Sequence, residues 1–181
     1  FEEVYAVDGG STAWAASGRQ LESGSGDAIP SGLEAARGQV KMVSPQELDA
    51  AKPATVICVE ISSDFAAGHV FGARWVPRGF LEMEIAGIAP DKSAAIAVTC
   101  NNGQNAALAG ATLKEMGYQD VSVLEGGIAA WRQAGLGVEQ GLSGVMRPPT
   151  DIVPSGPERN FADMMNYLRW ETALGEKYAA D

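Results

Sequence analysis

The chain has 181 residues, with 13 Lys and Arg against 23 Asp and Glu, giving a formal net charge of −10. Apolar residues make up 46% and charged residues 20%, a composition that supports a packed core and excludes disorder. The length fits one domain with extensions, the acidity argues against nucleic acid and membrane surfaces as partners, and no apolar run approaches the ~18 residues that span a bilayer.

In chain order the first feature is a repeat. Residues 1–24 (FEEVYAVDGGSTAWAASGRQLESG) and 118–141 (YQDVSVLEGGIAAWRQAGLGVEQG) align without gaps at an offset of 117, with eight of 24 positions identical. The identities include Val4/Val121, Gly9/Gly126, Gly10/Gly127, Trp14/Trp131 and Gly18/Gly135. Both copies read as a short apolar strand, an acidic residue, a Gly-Gly turn, a short helix carrying Trp, and a Gly-containing exit. Gly-Gly permits a tight backbone turn, and the large apolar area of an indole favours core packing. If 118–141 closes one unit, 1–24 closes a preceding one. Residues 25–38 then read as a linker, 39–141 as a complete unit, and 142–181 as a Pro-rich linker with a helix. The tail 1–24 is expected to pack on this unit or on a neighbouring copy.

Within 39–141, Val40–Val43 is a short apolar run. Ser44-Pro45-Gln46-Glu47 supplies an N-cap, Pro at the first helical position and Glu at the third, a capping box ahead of Leu48. Ala54–Ile61 (ATVICVEI) predicts a buried strand, 64–68 a helical turn, 73–76 a short strand, and Phe80–Ile88 a helix limited by Gly87 and Pro90. Ala94–Thr99 is the next strand, Asn105–Met116 a helix stopped by Gly117, Val121–Leu124 the last strand and 127–134 the last helix. Strands alternating with helices predict an α/β fold with an open, mainly parallel five-stranded sheet, whose site lies at the carboxyl ends of the strands. Beyond it, Phe161, Met164, Met165, Leu168 and Leu174 recur at helical spacing. That helix reads as a spacer, or alternatively as a surface that recruits another protein.

The two cysteines are too few for a disulfide framework. Cys58 lies inside an apolar strand and reads as a core residue. Cys100 ends a strand, precedes a helix, and is followed by Asn101-Asn102-Gly103-Gln104-Asn105. Amides of such a loop cradle an anion, and the helix start adds partial positive charge, so a lowered thiol pKa and a nucleophilic role are expected.

These residues resemble the rhodanese family of sulfurtransferases. Gly68-His69-Val70-Phe71-Gly72-Ala73 is similar to the family's Gly-His-Ile-Pro-Gly-Ala. Cys100 with Gly103 three residues later is similar to its active-site loop, and Val123-Leu124-Glu125-Gly126-Gly127 with Ala130-Trp131 to its closing segment. Residues 1–24 resemble the closing segment of a preceding unit, and Tyr167-Leu168-Arg169-Trp170-Glu171 a helical spacer, so the chain looks like part of a tandem array. The resemblance implies a Cys100 persulfide that takes sulfane sulfur from a donor such as thiosulfate and passes it to a thiophilic acceptor, with no metal or organic cofactor. Substrate contacts would come from Asn101, Asn102, Gly103, Gln104, Asn105 and Ala106. The partners implied are a small sulfur donor and acceptor and other rhodanese units of the same chain or a neighbouring copy.

The sequence departs from the family where Glu60-Ile61-Ser62 stands for Asp-Val-Arg, and where the loop carries no basic residue. Arg74 and Arg78 are the candidate anion contacts. An inactive rhodanese-fold interaction domain and a persulfide relay are the alternatives. His69, the one histidine, reads as structural, and Ala at position 106 rules out the arginine clamp of the related phosphatases. A cytoplasmic setting is preferred, with the periplasm as the alternative.

Overall fold

The computed structural model describes residues 4–21, 29–146, 148–152 and 161–178; part of the expected linker and part of the Pro-rich segment lie outside them. Two compact units result, Phe1–Ser31 and Gly32–Asp181. The first contains helix α1 (Gly10–Ala16). In the second, α2 (Leu33–Gln39), β1 (Lys41–Val43), α3 (Pro45–Ala51), β2 (Thr55–Cys58), α4 (Ser62–Ala67) and β3 (Arg74–Trp75) follow in order. A 3-10 turn (Arg78–Phe80) leads into α5 (Leu81–Ile88), then β4 (Ile96–Thr99), α6 (Gln104–Glu115), β5 (Val121–Leu124), α7 (Gly127–Gln133) and α8 (Phe161–Tyr178).

The sheet is fully parallel in the order β1-β5-β4-β2-β3. Parallel sheets bury both faces under their crossover helices. Alternating residues of each strand accordingly feed two cores. Ile57, Val59, Val98 and Val123 pack with Leu33, Leu81, Ile85 and Leu113, from the side of α2, α5 and α6. Cys58, Ala97 and Leu124 pack on the other face with Leu48, Phe65, Ile128 and Trp131, from α3, α4 and α7. Every residue of β4 is buried, as expected of the middle strand. Phe65 alone, wholly buried, contributes about 1.5–3 kcal/mol of transfer free energy.

The capping box forms as the sequence predicts. The Ser44 N–H donates to Glu47 Oε2 at 2.7 Å, and the Glu47 N–H to Ser44 Oγ at 3.3 Å. Several boundaries differ from expectation. Residues 33–38, expected within the linker, belong to α2, because Leu33 and Ala36, one turn apart, are buried. The ladder of β2 stops at Cys58, and α4 starts earlier, at Ser62, whose N–H donates to Asp151 Oδ2 at 2.7 Å. The fold also continues past 141: the Trp75 N–H donates to the Gly144 carbonyl at 3.1 Å, and Val145 bridges to Trp75.

His69 is wholly buried and stacks on Phe65, with ring centroids 3.6 Å apart. Its Nδ1 donates to the Phe65 carbonyl at 2.8 Å, and its backbone exchanges two hydrogen bonds with Glu139. This is the structural turn the sequence indicates.

Helix α6 rides close to the sheet at Gly110, where a Cβ would approach Val123 Cγ2 to 2.8 Å and Val40 Cγ1 to 3.1 Å. Overpacking of this kind costs ~1–3 kcal/mol. Gly110→Val is therefore expected to lower unfolding free energy by ~1–3 kcal/mol in urea titrations, despite the entropic advantage of removing a helix glycine.

Candidate active site

Cys100 leaves the carboxyl end of β4, and the chain turns through residues 101–103 into α6. The turn wraps around the sulfur. The Gly103 N–H points at Cys100 Sγ from 3.1 Å and the Ala106 N–H from 3.2 Å. Gly103 adopts φ +84°, and a Cβ there would also come within 3.2 Å of Gly126 N and Leu124 O. Both its backbone angle and its surroundings therefore demand glycine.

The loop is held from behind by α7. The Ile128 N–H donates to the Cys100 carbonyl at 2.9 Å, and the Ala129 N–H to the Asn101 carbonyl at 3.1 Å. Gly127, at φ +59°, permits this approach, because a Cβ on it would collide with the carbonyls of Cys100 and Asn101. From the front, two carboxylates tie down Asn101. Its backbone N–H donates to Glu60 Oε1 at 2.9 Å and its Nδ2 to Asp64 Oδ2 at 2.7 Å. Glu60 is itself fixed through its carbonyl, which accepts the Trp75 indole N–H at 2.8 Å.

The candidate loop residues thus divide by role. Gly103 and Ala106 are buried and present their amides to the sulfur, while Asn105 is exposed on the first turn of α6. Asn102 Oδ1 accepts the Gln104 N–H at 3.0 Å and lies 3.9 Å from Sγ. Cys100 is 0% exposed, so any reagent reaches its sulfur only when part of this loop moves.

The expectation of a lowered Cys100 pKa is overturned. Burial pushes the thiol up, and the negative charge of Glu60 adds to this; the amides of Ala106, Asn102 and Gly103 pull the other way without prevailing. Amides and a helix start are visible along the chain, but the removal of the sulfur from water, which outweighs them, is not. Cys58, deeper in β2, is pushed up to about 12 by burial, as befits a core residue.

The structure does not bring Arg78 to the loop. Its guanidinium donates to Glu82 Oε1 and Thr112 Oγ1, both at 2.9 Å. Thr112 lies more than two turns along α6 from its start, roughly 12 Å down the helix. Arg74 is exposed on edge strand β3, paired with Ile57, two residues before Val76. A cation that no sequence motif singles out shares a cleft with the loop residue Asn101. Arg132, on α7, donates to the Ala67 carbonyl at 3.0 Å and lines a cleft of about 210 Å³ with Asp64, Gly68, Asn101 and Ala129. Gly68 makes room for it, since a Cβ there would strike the guanidinium. Glu60 likewise stands out in the sequence only as a departure from a motif. Its position two residues past β2, the neighbour of β4 in the sheet, is the signal that places it beside the loop. A roomier groove of about 350 Å³, lined by Leu48, Val56, Val70, Phe71, Trp131 and Leu136 together with Asp49 and Lys52, contains neither cysteine.

The family profile of the rhodanese-like domain matches residues 44–134. This chain belongs to that family. The thiosulfate sulfurtransferase GlpE of Stutzerimonas stutzeri is 33% identical over 94 residues, covering 51% of this chain and 84% of the relative. The crystal structure of a thiosulfate sulfurtransferase from Pseudomonas aeruginosa aligns with 89% of this chain at 26% identity and TM-score 0.63, using 30% of its own length. That alignment extends well outside 44–134. The polysulfide-sulfur transferase of Wolinella succinogenes, a homodimer, is 29% identical with TM-score 0.53, covering 60% of this chain and 84% of its own.

The dominance of burial at Cys100 has a direct check. Iodoacetamide labelling of Cys100 is expected to climb only above the ordinary thiol range of ~8.5, without a plateau at neutral pH. Glu60→Gln keeps an acceptor for the Asn101 N–H but removes the charge, and should raise the neutral-pH rate about threefold. A plateau near neutrality in the unaltered protein would contradict a raised thiol pKa.

Proposed function

We propose that this rhodanese-like unit is a sulfurtransferase that works through a Cys100 persulfide. The observation that carries the reading is the pair of amide N–H groups converging on Sγ at the end of the central strand. Donors preorganised toward a sulfur that gains charge stabilise the charged state more than the neutral one. Nothing else in the second unit presents a nucleophile on such a cradle among the described residues.

Each half-reaction balances in atoms and electrons. With thiosulfate, Cys100 Sγ bonds to the outer sulfur, the donor S–S bond breaks, and sulfite leaves with its electron pair. The thiol proton, retained at rest because burial favours the neutral form, departs to the leaving group or solvent. The product is a Cys100 persulfide. In the second step a thiophilic nucleophile such as cyanide attacks the terminal sulfur, and thiocyanate departs as the Cys100 thiolate is restored.

Names of relatives support both thiosulfate and polysulfide as donor classes. Charge at this site bears on the choice. Glu60 and Asp64 border the loop, whose residues 101–105 include no cation. A dianion therefore approaches against repulsion, and thiosulfate uptake is expected to accelerate about twofold from low to physiological ionic strength, as salt screens like charges. A rate that falls with salt would instead show that Arg132 dominates the approach.

The raised thiol favours a second reading, a rhodanese-fold unit without turnover that serves as an interaction domain. Intact-protein mass spectrometry separates the two. Incubation with thiosulfate or 3-mercaptopyruvate is expected to add one sulfur atom that cyanide removes and that Cys100→Ala lacks. No adduct from either donor would leave the interaction domain, or a relay fed by a protein persulfide.

A further inference from the structure

The first unit carries a fold that its own residues do not complete. Helix α1 (Gly10–Ala16) and helix α7 (Gly127–Gln133) are each seven residues long and lie at the 117-residue offset of the sequence repeat. Their backbones agree in detail. The turn glycines have φ of +73° and +59° at Gly9 and Gly10, against +65° and +59° at Gly126 and Gly127. The exits match as well, with Gly18 at +80° and Gly135 at +75°. Trp14 Nε1 donates to the Gln20 carbonyl at 3.2 Å, and Trp131 Nε1 to the Gly137 carbonyl at 2.9 Å, the same six-residue reach at the same offset.

What differs is burial. Val121, Leu124 and Trp131 are 3%, 0% and 4% exposed, and Val138 packs on the same core as Leu124 and Trp131. Their counterparts Val4, Val7 and Leu21 are 80%, 53% and 54% exposed, and Trp14 is only half-buried. Val121–Leu124 is a strand between β1 and β4, whereas residues 4–7 belong to no strand. Gly127 is glycine because it abuts the Cys100 loop; Gly10 keeps the same φ with nothing within 4 Å of where its Cβ would stand.

We infer that residues 4–21 are the closing strand and helix of a second rhodanese-like unit, and that their apolar face docks into that unit's sheet, encoded immediately upstream on the same polypeptide. The occupant follows from the copy that is complete. The strand takes the place β5 has between two parallel neighbours, and Val4, Val7 and Trp14 fill the positions of Val121, Leu124 and Trp131. Ser11 and Thr12 occupy the positions of Ile128 and Ala129, whose amides back the Cys100 loop, so this segment would brace the corresponding loop of the upstream unit. The acceptor cannot be the sheet of residues 32–146, where β5 already fills that place. The alignment with the Pseudomonas aeruginosa enzyme agrees, because 89% of 181 residues exceeds the 150 of Gly32–Asp181 and so includes part of 1–31. This inference stands apart from the activity of Cys100.

Hydrogen exchange with mass spectrometry tests it, on the 181-residue chain and on the natural polypeptide extended upstream by one repeat offset, 117 residues. In the shorter protein, amides of 4–21 are expected to exchange freely while those of 121–138 are protected. In the extended protein, exchange of 4–21 should slow by about 100-fold or more, and Val7→Asp should abolish that slowing without affecting 121–138. The inference is overturned if the upstream sequence encodes no such unit, if 4–21 exchanges equally fast in both proteins, or if it is already protected in the shorter one.

Discussion

Two hydrogen bonds from the start of α7 to the carbonyls of Cys100 and Asn101 hold together most of what matters in this molecule. They join the last crossover helix to the end of the middle strand, and they fix the loop whose amides face the sulfur. Gly127 makes the contact sterically feasible, and Gly103 lets the loop press against the β5–α7 turn from its other side. The same turn anchors Trp131 in one core while β5 contributes Val123 to the other. Sheet closure and site geometry are thus one arrangement. A change that loosened α7 would disturb the sulfur cradle before it touched any reacting group.

The electrostatics of the cradle are a contest between desolvation and dipoles. Amide donors stabilise an anionic sulfur by local hydrogen bonding, but burial removes the far larger solvation that water gives a thiolate. Glu60 adds to the cost, yet it is also the acceptor that holds the Asn101 N–H. One carboxylate therefore steadies the loop while opposing the ionisation of its cysteine. Trp75 fixes the backbone of that residue, so a core side chain contributes to the potential at the sulfur.

Much of this was legible in the sequence. The alternation of β-branched runs with helical spacing specified a parallel sheet, and Ser44-Pro45-Gln46-Glu47 marked its capping box to the residue. Cys100 was recognisable because a thiol between a strand and a helix, with Gly103 three residues on, sits where the amides of a tight loop converge. Local signals failed where tertiary contacts decide. Leu33 and Ala36 are two apolar residues beside a Gly- and Ser-rich stretch, too few to announce a helix until α6 supplies the surface they cover. Arg78 could not be placed from the sequence, since its reach to Thr112 depends on the fold bringing the turn at 78–80 alongside α6. The thiol's direction of shift failed for a related reason: counting amides along the chain says nothing about how thoroughly the sulfur is enclosed.

The enclosure of Cys100 has a consequence for the chemical durability of the protein. Peroxide attacks thiolates, and successive oxidation beyond the sulfenic acid is irreversible for most cysteines. A sulfur that is wholly buried, and whose ionisation that burial opposes, presents little target to such oxidants. The enclosure that opposes ionisation of this thiol thereby also slows its loss to oxidants. In an oxidising environment, that enclosure would set how long the thiol of each molecule survives.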